Sequence, residues 1–355
     1  MTESIIKVLI VEDSPVAREL LVHIFGYDPK LQVIGTASSG EEALECVETL
    51  KPDVITMDLH LPKMNGFETT RKIMETNPIP IIVVTASSSV REVSLAMNAL
   101  DAGALAVVQK PRGIGHPDYE AEASELIRTV KLMSQVKLVR RIVRLKQEKP
   151  ILPKTEIKPK QHDGFKLVAI GTSTGGPPVI QTILSRLPTD LHVPILIVQH
   201  MSEGFIQGYV EWLNTTSSLP VHVALNGEIV LPGHVYVAPD SFQMKVKENG
   251  KIFLTIDHPE YGLCPSVSYL FRSVAEAFGE NAIGVLLTGM GKDGAMELKL
   301  MKDMGAITIA QDKESSVVHG MPGEAISLGA AMYVLPPEKI ASVLVGLVQN
   351  RSGRG

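Results

Sequence analysis

The stretch AIGTSTGGPP, residues 169–178, follows an apolar run and sets two hydroxyl residues beside adjacent glycines on what reads as a tight bend. Within it, Gly171-Thr172-Ser173-Thr174-Gly175 satisfies G-x-S-x-G, in which glycines let the chain turn sharply enough to expose a serine hydroxyl at a sheet rim. Two other readings compete. A dinucleotide or phosphate loop would need a third glycine or a closing Gly-Lys-Ser/Thr, and neither is present. A strand-to-helix turn capped by Ser173 or Thr174 needs no chemistry at all. A serine hydroxyl is a weak nucleophile at neutral pH, so the first reading requires an imidazole within reach and a carboxylate behind it. His200 closes the apolar run ILIVQH and Asp293 follows the apolar run in VLLTGMGKDGA, so both are expected at the rim that carries Ser173. His319, in SVVHGMPGEA, is another histidine that follows a strand, and a triad in the chain order Ser173, Asp293, His319 stays open on spacing alone. His192, His222 and His234 fall at or near strand beginnings and are expected at the opposite edge.

A second constellation lies in the first half of the chain. Glu12 and Asp13 follow one apolar run, Asp58 ends another, Thr85 ends a third, and Lys110 stands before Pro111 at the end of a fourth. Clustered carboxylates suit a hard cation such as Mg²⁺, and the cation together with the lysine would neutralise a phosphoryl group carried on Asp58. Any one of these acids is an ordinary solvated strand cap, but the set is not.

The elements that must position these groups are visible as patterns. In the first half the runs KVLIV, QVIGTA, DVITMD, PIIVVTA and ALAVVQK alternate with helix-length segments, which predicts a doubly wound α/β domain with a parallel sheet. Ligands of such sheets sit at the carboxyl ends of the strands, where the acidic set falls. An amphipathic stretch from about Glu120 to Leu145 has helical spacing, and QEKPILPKTEIKPKQHDG at 147–164 reads as a proline-rich linker. The second half runs through KLVAIG, VPILIVQH, VHVAL, HVYVAP, AIGVLLTG, AITIAQ and AAMYVLP, with QMKVKENGKIFLTI reading as a hairpin that turns at Asn249 and Gly250. It too is expected to be α/β, mainly parallel, with an inserted antiparallel hairpin. The expected division is residues 1–130, a helical extension and linker at 131–164, and a second domain at 165–348.

Composition removes several function classes. A chain of 355 residues with 45% hydrophobic content is large enough for two packed cores. A net charge of −5 gives no electrostatic footprint for nucleic acid or an anionic membrane surface. No apolar run approaches the ~20 residues of a membrane span, and the N-terminus lacks the features of a signal peptide. Cys46 and Cys264 lack metal-ligand spacing. A cytoplasmic protein without nucleic-acid binding or membrane insertion is expected.

The joint occurrence of VEDS, MDLHLPKMNG, VTAS and KP means that about residues 5–130 resemble the receiver domain of two-component response regulators. That resemblance implies a phospho-acceptor Asp58, Mg²⁺ held by Glu12, Asp13, Asp58 and the His60 carbonyl, a switch hydroxyl on Thr85 and a phosphoryl contact from Lys110. Val107 departs from it, standing where receivers often carry an aromatic. From about 165 to 348 the chain resembles the catalytic domain of the CheB protein-glutamate methylesterases of chemotaxis, through AIGTSTGGPP, QHM, LPGHVYVAPD, PSV, LLTGMGKDGA and VVHGMPGEA. The resemblance implies Ser173 as nucleophile, His200 as general base, Asp293 as its orienting carboxylate, and oxyanion contacts from Thr174 and the backbone around Met290. It further implies chemoreceptor substrates, demethylated or deamidated without a metal, and a chemotaxis histidine kinase as phosphodonor. The family commonly has an arginine before PSV and an acid after it; here Cys264 and Ser268 occupy those places, and His319 stands where an aromatic is usual. The rival expectation is a two-domain response regulator with an impaired hydrolase half that acts as a phosphorylation-dependent binding module.

Overall fold

The computed structural model describes residues 5–86, 89–136 and 166–349. The chain divides into two compact units, Met1–Leu145 and Lys146–Gly355. The predicted linker at 147–164 and the predicted helix beyond residue 136 lie outside the described residues.

The N-terminal unit alternates strand and helix: β1 (Ile6–Val11), α1 (Pro15–Gly26), β2 (Leu31–Ala37), α2 (Gly40–Leu50), β3 (Val54–Met57), α3 (Gly66–Thr76), β4 (Ile81–Thr85), α4 (Val90–Asp101), β5 (Ala106–Gln109) and α5 (Tyr119–Met133). The strands form one parallel sheet in the order β2-β1-β3-β4-β5. Strands β3 and β4 are buried along their whole length, as expected of strands covered on both faces. Side-chain caps fix where four helices begin: Ser14 accepts from the Ala17 amide, Ser39 from Glu42, Asn65 from Glu68 and Ser89 from Glu92. Because β2 and β3 lie on opposite sides of β1, the loops after β1 and β3 diverge and leave a crevice between them.

The C-terminal unit contains β6 (Leu167–Thr172), α6 (Gly176–Leu184), β7 (Ile195–Gln199), α7 (Ile206–Asn214), β8 (Val221–Val223), β9 (Val235–Val237), β10 (Gln243–Val246), β11 (Ile252–Thr255), α8 (Val267–Phe278), β12 (Ala282–Leu286), α9 (Ala295–Asp303), β13 (Ile307–Gln311), α10 (Met321–Ser327), β14 (Tyr333–Leu335) and α11 (Pro337–Gln349). Seven strands pair in the order β14-β13-β12-β6-β7-β9-β8, every pairing parallel. The predicted hairpin forms as β10 and β11, with Gly250 at φ +75° in its turn, and it stands apart as its own two-stranded sheet. It is tied in through α8, which packs on β10, β6, β12 and α9. Leu167 and Ala169 of β6 and Leu196 and Val198 of β7 join Leu270, Phe271 and Val274 of α8 and Leu298 of α9 in one buried cluster. The alternate residues Val168, Ile170, Ile195 and Ile197 are equally buried and turn to the opposite face. The sheet is thus covered on both sides, and its polar chemistry is confined to the strand ends.

Candidate active site and acidic rim

Strands β12, β6 and β7 are neighbours at the centre of the larger sheet, and Ser173, His200 and Asp293 lie just beyond their carboxyl ends. Ser173 is held from both sides. Its amide donates to the Thr288 carbonyl at 3.0 Å in the loop after β12, while its carbonyl accepts from Gly176 at 2.9 Å and from Gln199 Nε2 at 2.8 Å. The His200 amide donates to Thr172, extending the β6–β7 ladder to the last residue before the serine. Such close approach needs bare backbone. A Cβ on Gly289 would lie 2.7 Å from Ser173 Cβ, and one on Gly176 would lie 2.1 Å from Thr172 Oγ1.

His200 Nε2 lies 3.0 Å from Asp293 Oδ2. The imidazole thus stands directly against the carboxylate, although Nε2 makes no hydrogen bond of good geometry there. Asp293 is almost wholly buried and collects further donors: Ser266 Oγ at 2.8 Å, the Val267 amide at 2.7 Å and the Ser268 amide at 3.0 Å. These donors form the N-terminus of α8, with Ser266 as its cap, where unpaired amides and the helix dipole favour an anion. Burial alone would raise the Asp293 carboxyl, but the His200 imidazole and the Ser268 and Ser266 donors outweigh it and hold the group below its ordinary range. Ser268 also ties the loop together, since its hydroxyl donates to Glu297 Oε2 at 2.7 Å and accepts from the Gly294 amide at 2.9 Å. Arg272 reaches Glu297 at 3.1 Å and Glu260 at 2.7 Å.

His319 is not brought to the carboxylate. Its backbone bridges to Gly289, and its Nδ1 lies 3.3 Å from Ser316 Oγ, while the imidazole against Asp293 is that of His200. His222 and His234 pair with each other at 2.9 Å on β8 and at the start of β9. Among the described residues, the amides of Thr174 and Met290 are taken by no other group, which leaves both able to donate to an incoming oxygen. Within the Cys264–Ser268 stretch, which departs from the family pattern, Ser266, Val267 and Ser268 supply the cradle of Asp293. Serine followed by an apolar helical run is a legible cap signal, but nothing in it indicates a carboxylate partner 27 positions away.

In the N-terminal unit the acidic set assembles as expected. Ligand oxygens of Glu12, Asp13 and Asp58 lie within 4.8 Å of one another, a hard-donor set that fits a divalent cation. Lys110 Nζ is 2.6 Å from Glu12 Oε2 and 3.1 Å from Asp58 Oδ2. Burial would lower the Lys110 ammonium, but its two carboxylates reverse that and keep it charged. The His60 amide donates to Asp58 Oδ1 at 3.1 Å, and Thr85 is buried at the end of β4.

Comparison with known proteins agrees with both halves. The family description CheB methylesterase matches residues 168–344 and the description response regulator receiver domain matches residues 8–116. The chain is 56% identical over 347 residues to a protein-glutamate methylesterase/protein-glutamine glutaminase of Nitrosospira multiformis, covering 98% of both chains. It is 60% identical over 344 residues to protein-glutamate methylesterase/protein-glutamine glutaminase 1 of Syntrophus aciditrophicus, covering 96% of this chain and 98% of that one. The crystal structure of the Thermotoga maritima CheB methylesterase catalytic domain aligns with 52% of this chain and 100% of its own, at a TM-score of 0.51 and 42% identity. Since the similarity to these relatives runs through both units, the chain belongs to the CheB family of protein-glutamate methylesterases with an N-terminal receiver domain.

Proposed function

We propose that this chain hydrolyses glutamate γ-methyl esters, and deamidates glutamines, on chemoreceptors through a Ser173-His200-Asp293 acyl-enzyme mechanism switched by phosphorylation of Asp58. The observation that carries the hydrolase half is the His200 Nε2 to Asp293 Oδ2 contact of 3.0 Å beside Ser173. With Nε2 facing the carboxylate, Nδ1 is the nitrogen available to the serine. Ser173 Oγ attacks the carbonyl carbon as neutral His200 accepts its proton, and Asp293, fixed as an anion by the α8 amides, stabilises the imidazolium that forms. The carbonyl oxygen becomes an oxyanion facing the Thr174 and Met290 amides. Collapse breaks the bond to methoxide, or to ammonia in deamidation, and the leaving group takes the His200 proton. Water, deprotonated in turn by His200, then cleaves the acyl-enzyme to release the glutamate carboxylate.

In the receiver, Glu12, Asp13, Asp58 and the His60 carbonyl would hold Mg²⁺, which supplies charge neutralisation for the transferred phosphoryl group. Lys110 meets the same oxygens, and the Thr85 hydroxyl follows the new charge on Asp58 as the switch. A chemotaxis histidine kinase is the fitting donor, and no nucleic acid or membrane insertion enters this scheme; no helix among the described residues is long and apolar enough to cross a membrane. The test is methanol release from methylated receptor membranes with and without a small phosphodonor. Wild type should release methanol faster with the donor, and Ser173→Ala should release none. Methanol release by Ser173→Ala at the wild-type rate would end the proposal.

A further inference from the structure

Gln199, the last residue of β7, is buried, and its amide nitrogen donates at 2.8 Å to the Ser173 carbonyl and at 2.8 Å to the His200 carbonyl. Two carbonyl oxygens can be met only by the NH₂ end, so the orientation of the amide is fixed by its partners. Its Oε1 is left buried without a donor among the described residues. A side chain serving only to fill the core would not carry a desolvated, unpaired oxygen there. What the amide gains by this arrangement is both of its N–H bonds directed at the two residues between which the proton must pass. Gly176 leaves the room for it, since a Cβ there would lie 2.4 Å from Gln199 Oε1.

We infer that Gln199 is a positioning residue of the hydrolase: one NH₂ group clamps the main chains of nucleophile and base to each other and so sets the distance for proton transfer. The β6–β7 ladder ends at the His200 to Thr172 hydrogen bond. Beyond it, the Ser173 and His200 carbonyls turn away from ladder pairing, and the Gln199 amide substitutes for the missing rung. On the other side, the Thr288 carbonyl fixes the Ser173 amide. Gln199 is therefore the element that fixes Ser173 relative to β7 rather than to β12.

The inference rests on the Ser173-His200 reading above, and its test separates the two. Gln199→Met keeps the volume and removes both N–H donors. It should lower kcat about 10- to 100-fold, as misplacement of reacting groups does, while KM for methylated receptor stays within about twofold because no substrate contact is lost. The rate at which a small phosphonate ester inactivates Ser173 should fall by the same factor. Val246→Ala, in the hairpin and remote from the rim, serves as a destabilised control that keeps its kcat. Should Gln199→Met fail to fold, Gln199→Glu is measured across pH: its activity relative to wild type should drop as the introduced carboxyl ionises against the two carbonyls. A folded Gln199→Met with wild-type kcat and inactivation rate, or a pH-independent ratio for Gln199→Glu, overturns the inference while leaving the triad intact. Turnover surviving in Ser173→Ala and His200→Ala, measured in parallel, would instead overturn the reading on which it rests.

Discussion

Asp293 carries the heaviest constraint in the hydrolase because three donors and the His200 imidazole meet on one buried carboxylate. Replacing it with Asn removes the charge that supports the imidazolium and turns an N–H toward His200, favouring the wrong tautomer. Asp293→Asn should lower kcat on the order of 10³-fold or more, with KM less affected; steady-state methanol release checks this. The same carboxylate makes stability depend on pH. Its folded value lies below the ordinary 3.8, so its contribution is fully present above that value and is lost as pH falls through the depressed one. Acid titration of thermal stability should therefore show a shallower fall in Asp293→Asn than in wild type below about pH 4. An equally steep fall would mean that Asp293 is not held as an anion.

At the scale of elements, the start of α8 matters more than its length. Ser266 caps the helix and binds Asp293 in the same stroke, so Ser266→Ala should cost about 0.5–2 kcal/mol as a lost cap and also lower kcat. Differential scanning and turnover measured on one preparation would separate the two effects; lost stability with unchanged kcat would make Ser266 a cap alone. The elements themselves were legible in the sequence. Apolar runs marked the strands because the central strands are covered on both faces, and the residues after them fell at one rim because every pairing within the five-stranded and seven-stranded sheets is parallel. What was not legible was tertiary pairing. Cys264–Ser268 reads only as a departure from the family pattern, and nothing in it shows that Ser268 reaches Glu297 and Gly294, residues brought beside it by the α8–α9 packing. Likewise Gln199 is one polar residue at a strand end until the fold turns two carbonyls toward it. The choice between His200 and His319 was also open on spacing, because both follow strands of the same sheet, and only strand order places β7 next to β6.

At the scale of the molecule, two α/β units place their candidate sites at the carboxyl ends of their strands, one suited to the phosphoryl group and the other to the acyl group of the proposed mechanism. The two demands on the environment differ. The acidic rim brings Glu12, Asp13 and Asp58 within 4.8 Å, where mutual repulsion favours a divalent cation, whereas the proposed Ser173-His200-Asp293 relay holds one carboxylate, already met by the Ser266 hydroxyl, two backbone amides and the imidazole. Chelation should divide the functions accordingly. Removing Mg²⁺ with EDTA should abolish stimulation of methanol release by a small phosphodonor and leave the basal rate unchanged. Asp58→Asn should reproduce that result without chelator, because the acceptor oxygen is gone while β6, β7 and β12 are untouched. Lys110→Ala should accept phosphate yet transmit less of its effect, since the ammonium that meets Asp58 at 3.1 Å is missing. If EDTA lowered the basal rate along with the stimulated one, the serine mechanism would have to include a metal. If Asp58→Asn kept full stimulation, phosphate would be acting elsewhere than at this aspartate.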